Sequence, residues 1–346
     1  MLETLCSLHG VSGNEHKVRD FVIQNISPYT DNITVDSMGN VIAVKKGTNP
    51  TGKKVMVCAH MDEVGFIISE ICDNGFLKFK TVGGIDHRIL LSKKVLVGKD
   101  NIPGVIGVKA VHLQSKESRK SVIKEKDMYI DIGAKDKDDA MKKVSLGDYA
   151  SFDSVYRKLG STKIKAKALD DRIGCYALLE AIKEEYDEDI VFSFSVQEEV
   201  GLRGARVLSH REKADVCIVL EGTNAADVPF SSDHTTVTNQ GEGPSLSIMD
   251  GASVSNKNLN GFIMKLAKEN HIPYQIKKSH AGGNDAGAIA YSASGCETSV
   301  ISLPLRYIHS PVSVGDVRDI QSYLKLIKCV LKNISEYQPR RKEVLK

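Results

Sequence analysis

Residues 55–59 read VMVCA, apolar at every position and lacking the polar–apolar alternation of a strand with one wet face. A run so short and so uniform belongs to a strand covered on both faces, which calls for a sheet with helices packed above and below it. The same texture recurs along the chain. Strand-like runs at 40–44, 190–196, 216–220 and 297–303 alternate with helical periodicity at 171–184, 201–210, 258–270, 284–292 and 317–334. That alternation predicts an α/β fold with a central, mostly parallel sheet and helices on both faces. Near the start, Leu2, Leu5 and Leu8 recur at helical spacing, and Ser12 with Glu15 has the spacing of a capping box. Val18, Phe21, Val22 and Ile26 then mark one helical face, which Pro28 ends.

Between 66 and 153 the texture changes. Short runs such as FIISEI, FLKFKTV, KKVLVG and MYIDIG are separated by Gly, Asn and Asp, with room for one short helix at 137–144. This pattern predicts a small β-rich domain inserted into the larger one. The chain then divides into a first part of the α/β domain at 1–65, the insert at 66–153, and the second part at 154–346.

A length of 346 residues suits one large domain and a smaller one. Lys and Arg number 47 against 44 acidic residues, so no nucleic-acid partner is expected. The Lys-rich stretches 116–126 and 135–143 interleave Asp and Glu and read as solvated faces. Seven cysteines without a CxxC spacing argue against a disulfide framework or a thiolate zinc site. They read as small buried hydrophobes in a reducing compartment. The N-terminus has no basic region ahead of an apolar stretch, and no apolar run reaches the ~18 residues of a membrane span. The expectation is a cytoplasmic protein with no membrane partner.

Potential metal ligands fall where strands end, the edge at which open α/β sheets gather their sites. His60 follows the VMVCA run. Asp170 and Asp171 precede a helix in ALDDRIG, Glu198 and Glu199 follow a strand in SVQEEVG, Glu221 ends the next strand, and His309 follows the last in RYIHSP. Each alone has an ordinary explanation: a structural histidine, an exposed acid pair, a helix cap. Together on one edge they suit a different task. Imidazole and carboxylate are donors for Zn, Co or Mn, and a shared carboxylate can hold two such ions roughly 3.5–4 Å apart. Two ions activate a bridging water for amide hydrolysis, and a further carboxylate must then move its proton. The adjacent pair Glu198 and Glu199 fits that division if the two side chains point opposite ways from an extended strand end.

The strings AHMDEVG, LDDRIG, QEEVGLRGA, GGNDAGAI and RYIHSP together resemble the tetrahedral aminopeptidase family of co-catalytic metallopeptidases. That family includes glutamyl and deblocking aminopeptidases and proteins labelled cellulase M-like, and the resemblance spans nearly the whole chain. It implies a metalloaminopeptidase acting on peptides, with two divalent ions per subunit. Asp170 would bridge the ions. His60 and Glu221 would complete one site, and Glu199 and His309 the other. Glu198 would be the general base, and Asp62 the carboxylate that orients a ligand imidazole. The resemblance also implies that the insert drives homo-oligomerisation, through dimers to a tetrahedral dodecamer. Two positions depart from the common pattern: Glu221 where many members have Asp, and Asn284 where Thr is commoner. Asp285, in the same loop, reads either as structural or as a substrate contact.

Two rival readings follow from the same residues. A glycoside hydrolase would need two carboxyls facing each other about 5–9.5 Å apart and would leave both histidines without a task. A metal-binding protein without catalysis would need the ligands and could dispense with Glu198. The preferred N-terminal residue is not legible; Arg306, Arg203 and Lys257 are candidates by type to meet an acidic one.

Overall fold

The computed structural model describes residues 1–116, 118–232, 235–292 and 295–340. Its larger part is built on an eleven-stranded sheet. At the centre, Ile190–Ser195, Val55–His60, Val216–Asn224 and Glu297–Arg306 lie side by side and parallel. Outside them the pairing is antiparallel, through Val41–Lys45 and Ile33–Val35 on one flank and Ser313–Asp316, Lys163–Ala166 and Arg157–Leu159 on the other. The sheet is therefore mixed, not mostly parallel, and the cause is local. Ile33–Val35 and Val41–Lys45 are joined by a tight turn in which Asp36 Oδ1 accepts the N–H groups of Met38, Gly39 and Asn40. Gly160, at φ 61°, turns Arg157–Leu159 back onto Lys163–Ala166. Connections this short can join only antiparallel strands.

Every residue of Val55–His60 is buried. Val55, Val57 and Ala59 face a core shared with the helices Leu169–Ala181 and Val317–Lys332. Met56 and Cys58 face the opposite core, under Arg203–Glu212 and Ala286–Ile289. Covering both faces explains the unbroken apolar run, and each fully buried Val or Met side chain contributes roughly 1.5–3 kcal/mol. The strand fixes His60 at its C-terminal end.

Two helix starts follow the capping rule. Asn256 Oδ1 accepts the N–H of Asn258 and Leu259 ahead of Lys257–Glu269, and Asp316 accepts that of Arg318 ahead of Val317–Lys332. The capping box expected of Ser12 and Glu15 does not form. The helix His16–Ile26 starts after Glu15 and has no side-chain cap. Ser12 Oγ donates instead to Asp62 Oδ2 at 2.6 Å, and Glu15 Oε1 accepts the N–H of Gly13 and of Gln197. Asp62 is fully buried, and a buried carboxylate short of donors outcompetes a helix end that water can serve. The helix expected at 284–292 is only Ala286–Ile289.

The second unit is a closed six-stranded barrel whose strands run from Gly65–Ile71 to Tyr149–Phe152. Its core is apolar. The Phe66 ring meets Phe79 and Phe152 edge-on, with centroids 5.1 and 5.2 Å apart. The short helix in this stretch is Lys137–Met141, capped by Asp136. The lysines at 120, 124, 126, 135, 142 and 143 are exposed; Glu117 lies outside the described residues. All seven cysteines are free thiols, but Cys72 and Cys329 are only half-buried, unlike the other five. Among the described residues, no helix is long and apolar enough to cross a membrane.

Candidate active site

The C-terminal edge of the four parallel strands gathers the charged groups. His60 ends its strand and Glu221 sits within Val216–Asn224. Asp170 opens the helix Leu169–Ala181, and the loops after Ile190–Ser195 and Glu297–Arg306 carry Glu198, Glu199 and His309. They form two triads that share Asp170: His60, Asp170 and Glu221, and Asp170, Glu199 and His309. In the first, His60 Nε2 lies 3.7 Å from both Asp170 Oδ1 and Glu221 Oε2. In the second, His309 Nε2 lies 3.5 Å from Asp170 Oδ2 and 3.3 Å from Glu199 Oε1.

These groups fit divalent cations. Ligands at about 2.0–2.1 Å from a tetrahedral ion stand roughly 3.3 Å from one another, close to the spacings found here and longer than good hydrogen bonds. Glu221 Oε1 is buried and has no hydrogen-bond partner. Each imidazole turns its other nitrogen to an oxygen: His60 Nδ1 lies 3.3 Å from Asp62 Oδ1, and His309 Nδ1 is 2.9 Å from Gly84 O. That leaves both Nε2 atoms facing the carboxylates, the arrangement of ligand histidines held by outer partners.

The electrostatics point the same way. Burial and neighbouring carboxylates push the Glu221 and Glu198 carboxyls well up, and Glu199 up to about 7. Burial disfavours a charged His309, but the bond to Asp170 and the Glu199 charge carry its ring up to about 9. So much negative charge out of water requires positive charge beside it, as protons or as metal.

The supporting groups are as ordered as the triads. Asp62 accepts the N–H of Glu198 and Glu199 at 3.0 and 3.1 Å besides the Ser12 hydroxyl. Asp171 accepts the N–H of His60 and of Gly174. Gly222 N–H donates to Asp170 Oδ1, and a Cβ at Gly222 would meet that oxygen at 2.8 Å. Glu198 and Glu199 do not stand on an extended strand end with opposed side chains. The strand stops at Ser195, Gln197 adopts φ 55°, and with both following N–H groups on Asp62 the two side chains line one cavity. That cavity has a volume of about 500 Å³ and also reaches Leu202, Lys277 and Asn284.

Several residues take places that the sequence left open. Asp285 is buried beneath the cavity wall with Ser195 Oγ on its Oδ2 at 2.5 Å, while Asn284 lines the cavity and donates to Asp250. Arg306 is held by Asp227 through bonds of 2.7 and 2.8 Å, and neither Arg203 nor Lys257 lines the cavity. Lys277 does, and its ammonium makes no ion pair among the described residues. It follows the two-residue strand Gln275–Ile276, too short to be read from periodicity. Gly84, from the inserted region, was equally invisible: only the fold brings its carbonyl to His309.

A mixed α/β sheet with two histidine–carboxylate triads sharing one aspartate at its edge defines a metallohydrolase. The M42 glutamyl aminopeptidase family matches residues 39–326, and the chain belongs to that family. It is similar to a candidate aminopeptidase of Acetivibrio thermocellus, 40% identical over 331 residues that cover 94% of this chain and 96% of that one. The solved structure of aminopeptidase APDkam598 from the archaeon Desulfurococcus kamchatkensis is 36% identical, with a TM-score of 0.91 over 96% of this chain and 93% of that one. The TET1 peptidase of Pyrococcus horikoshii, described as assembling into a tetrahedron or a large octahedral shell, is 33% identical with a TM-score of 0.85, covering 95% and 98%. The chain is a peptide-hydrolysing enzyme.

Proposed function

We propose that this enzyme is an aminopeptidase that removes residues from the N-termini of peptides, using two divalent ions of the Zn, Co or Mn class. The observation that carries this reading is the sharing of Asp170 between two triads in one cavity with Glu198. His60, Asp170 and Glu221 would hold one ion, and Asp170, Glu199 and His309 the other. When bound, such ions lower the pKa of water and polarise the scissile carbonyl.

The protein's own groups supply the rest. Glu198 belongs to neither triad and faces the same cavity, so it is free to take a proton from the attacking water and pass it to the leaving amine. Asp62 sets its position by accepting its backbone N–H, and holds His60 in line. An acid-rich cavity also favours the cationic amino end of a peptide over its carboxylate end, which selects the N-terminus.

The same reading extends to assembly. The barrel region exposes Val105, Val111, Leu113 and Val122, apolar side chains that a homo-oligomeric contact would cover. With relatives that form closed shells, we take this chain to be a homo-oligomer assembled through the insert.

The test is cleavage of aminoacyl-p-nitroanilides, free and N-acetylated, by metal-stripped protein before and after adding Zn, Co or Mn. Metal-restored cleavage of the free-amine substrates alone is expected. Cleavage of the acetylated forms, or none with any metal, would overturn the reading.

A further inference from the structure

We propose that Ser12 and Glu15 are positioning residues of the active site, and that the N-terminal segment they belong to braces both ligand-bearing loops. The kinetic part of this inference rests on the aminopeptidase reading above; the structural part does not.

The two loops carry different groups. One is 60–63, with His60 and Asp62. The other is 197–199, with Glu198 and Glu199. The segment around 10–15 is tied to each of them. On the first loop, Glu63 N–H donates to Gly10 O at 3.0 Å, Ser12 N–H donates to Glu63 O at 3.3 Å, and Val11 and Glu63 form a parallel bridge. Gly10 N–H adds a bond to Glu63 Oε1, and Ser12 Oγ donates to Asp62 Oδ2 at 2.6 Å. On the second loop, Glu15 Oε1 accepts the Gln197 N–H at 3.1 Å.

The residues these bonds restrain are the ones whose geometry is demanding. Asp62 holds four groups at once: the Ser12 hydroxyl, the N–H of Glu198, the N–H of Glu199 and the His60 ring. Its Oδ2 is shared by Ser12 and Glu199, so the hydroxyl fixes the carboxylate rotation that presents Oδ2 to Glu199. Gln197 sits at φ 55°, where a side-chain-bearing residue needs its surroundings to hold it. Glu15 supplies that restraint directly before the two glutamates. Ser12 and Glu15 are both buried, at 4% and 7% exposure, and neither caps the helix that follows. Their polar atoms serve the loops instead. A group that orients a ligand's partner is worth about 10–100-fold in metal affinity or activity, and Ser12 and Glu15 stand one bond further out, at the lower end.

The experiment compares Ser12→Ala, Glu15→Ala and Glu15→Gln in the full-length chain. It uses Co(II) titration followed by visible absorption, thermal melting, and kcat and KM on a free-amine p-nitroanilide. Both alanine variants are expected to lose about 10-fold in Co(II) affinity or in kcat, with KM within about twofold. Glu15→Gln keeps an oxygen acceptor for the Gln197 N–H, so it should restore most of what Glu15→Ala loses. Alanine variants that match the unmodified protein in Co(II) spectrum, affinity and kcat would overturn the proposal. So would a Glu15→Gln variant as impaired as Glu15→Ala, because that loss would be structural and not a matter of the accepted bond. If Ser12→Ala does not fold, the Glu15 pair decides. Should the unmodified protein cleave no peptide substrate, the aminopeptidase reading falls while the Co(II) arm still decides the brace.

Discussion

The barrel and the edge of the parallel sheet are both packed interiors, yet they bury opposite chemistry. The barrel closes over Phe66, Phe79 and Phe152. The sheet edge buries His60, Asp62, Asp171 and Glu221, and beside them Glu63 paired with Lys167 and Arg172. An apolar interior is stabilised by area and tolerates approximate placement; a charged one is stabilised only while each charge has a partner at the right distance. Mutations should therefore separate the two regions, the barrel reporting in stability and the edge in chemistry.

The largest effect expected at the edge is in turnover. Glu198→Gln removes a proton carrier that belongs to neither triad, and kcat should fall by about 10²–10⁴ while both ions remain bound. Steady-state kinetics beside metal content by mass spectrometry checks this, and the melting temperature should hold or rise as one crowded carboxylate is neutralised. Retained kcat would remove Glu198 from the reaction.

Phe79→Ala should behave in the reverse sense. Emptying that volume should destabilise the barrel by about 3–5 kcal/mol, seen in urea unfolding, with the metal content of the folded protein unchanged. A loss of metal with little loss of stability would break the comparison.

Lys277 gives the smallest effect and the sharpest discrimination. Exposed ion pairs are worth about 0.2–1 kcal/mol, so Lys277→Met should lower kcat/KM on acidic N-terminal residues by roughly 2–5-fold relative to neutral ones. Equal change across a substrate panel would take Lys277 out of recognition.

What the sequence discloses follows the same division. The core strands are legible because burial on both faces leaves Val55–His60 apolar throughout, and the strand ends then point to His60 and Glu221. The flanking strands Ile33–Val35, Arg157–Leu159 and Ser313–Asp316 carry no such signal, being three or four residues long, so the mixed character of the sheet goes unread. Closure of the insert into a barrel depends on pairing between Gly65–Ile71 and Tyr149–Phe152, residues far apart in the chain that no local pattern links. Ser12 and Glu15 mislead for a chemical reason. The hydroxyl and carboxylate that cap a helix are the same groups that satisfy a distant loop, and spacing cannot tell the two apart. Lys277 and Gly84 reach the cavity only through the fold.

The bond between His309 Nδ1 and the carbonyl of Gly84 gives the barrel a mechanical grip on the chemistry. The histidine lies on a loop of the sheet domain, at φ 55°, and its ring leans on backbone contributed by the insert. Any rocking of the barrel must therefore swing the ring or break that bond, so a load applied at the insert's outer surface arrives at Nε2 as a change of angle. The two units share a single lever, with the imidazole as its short arm.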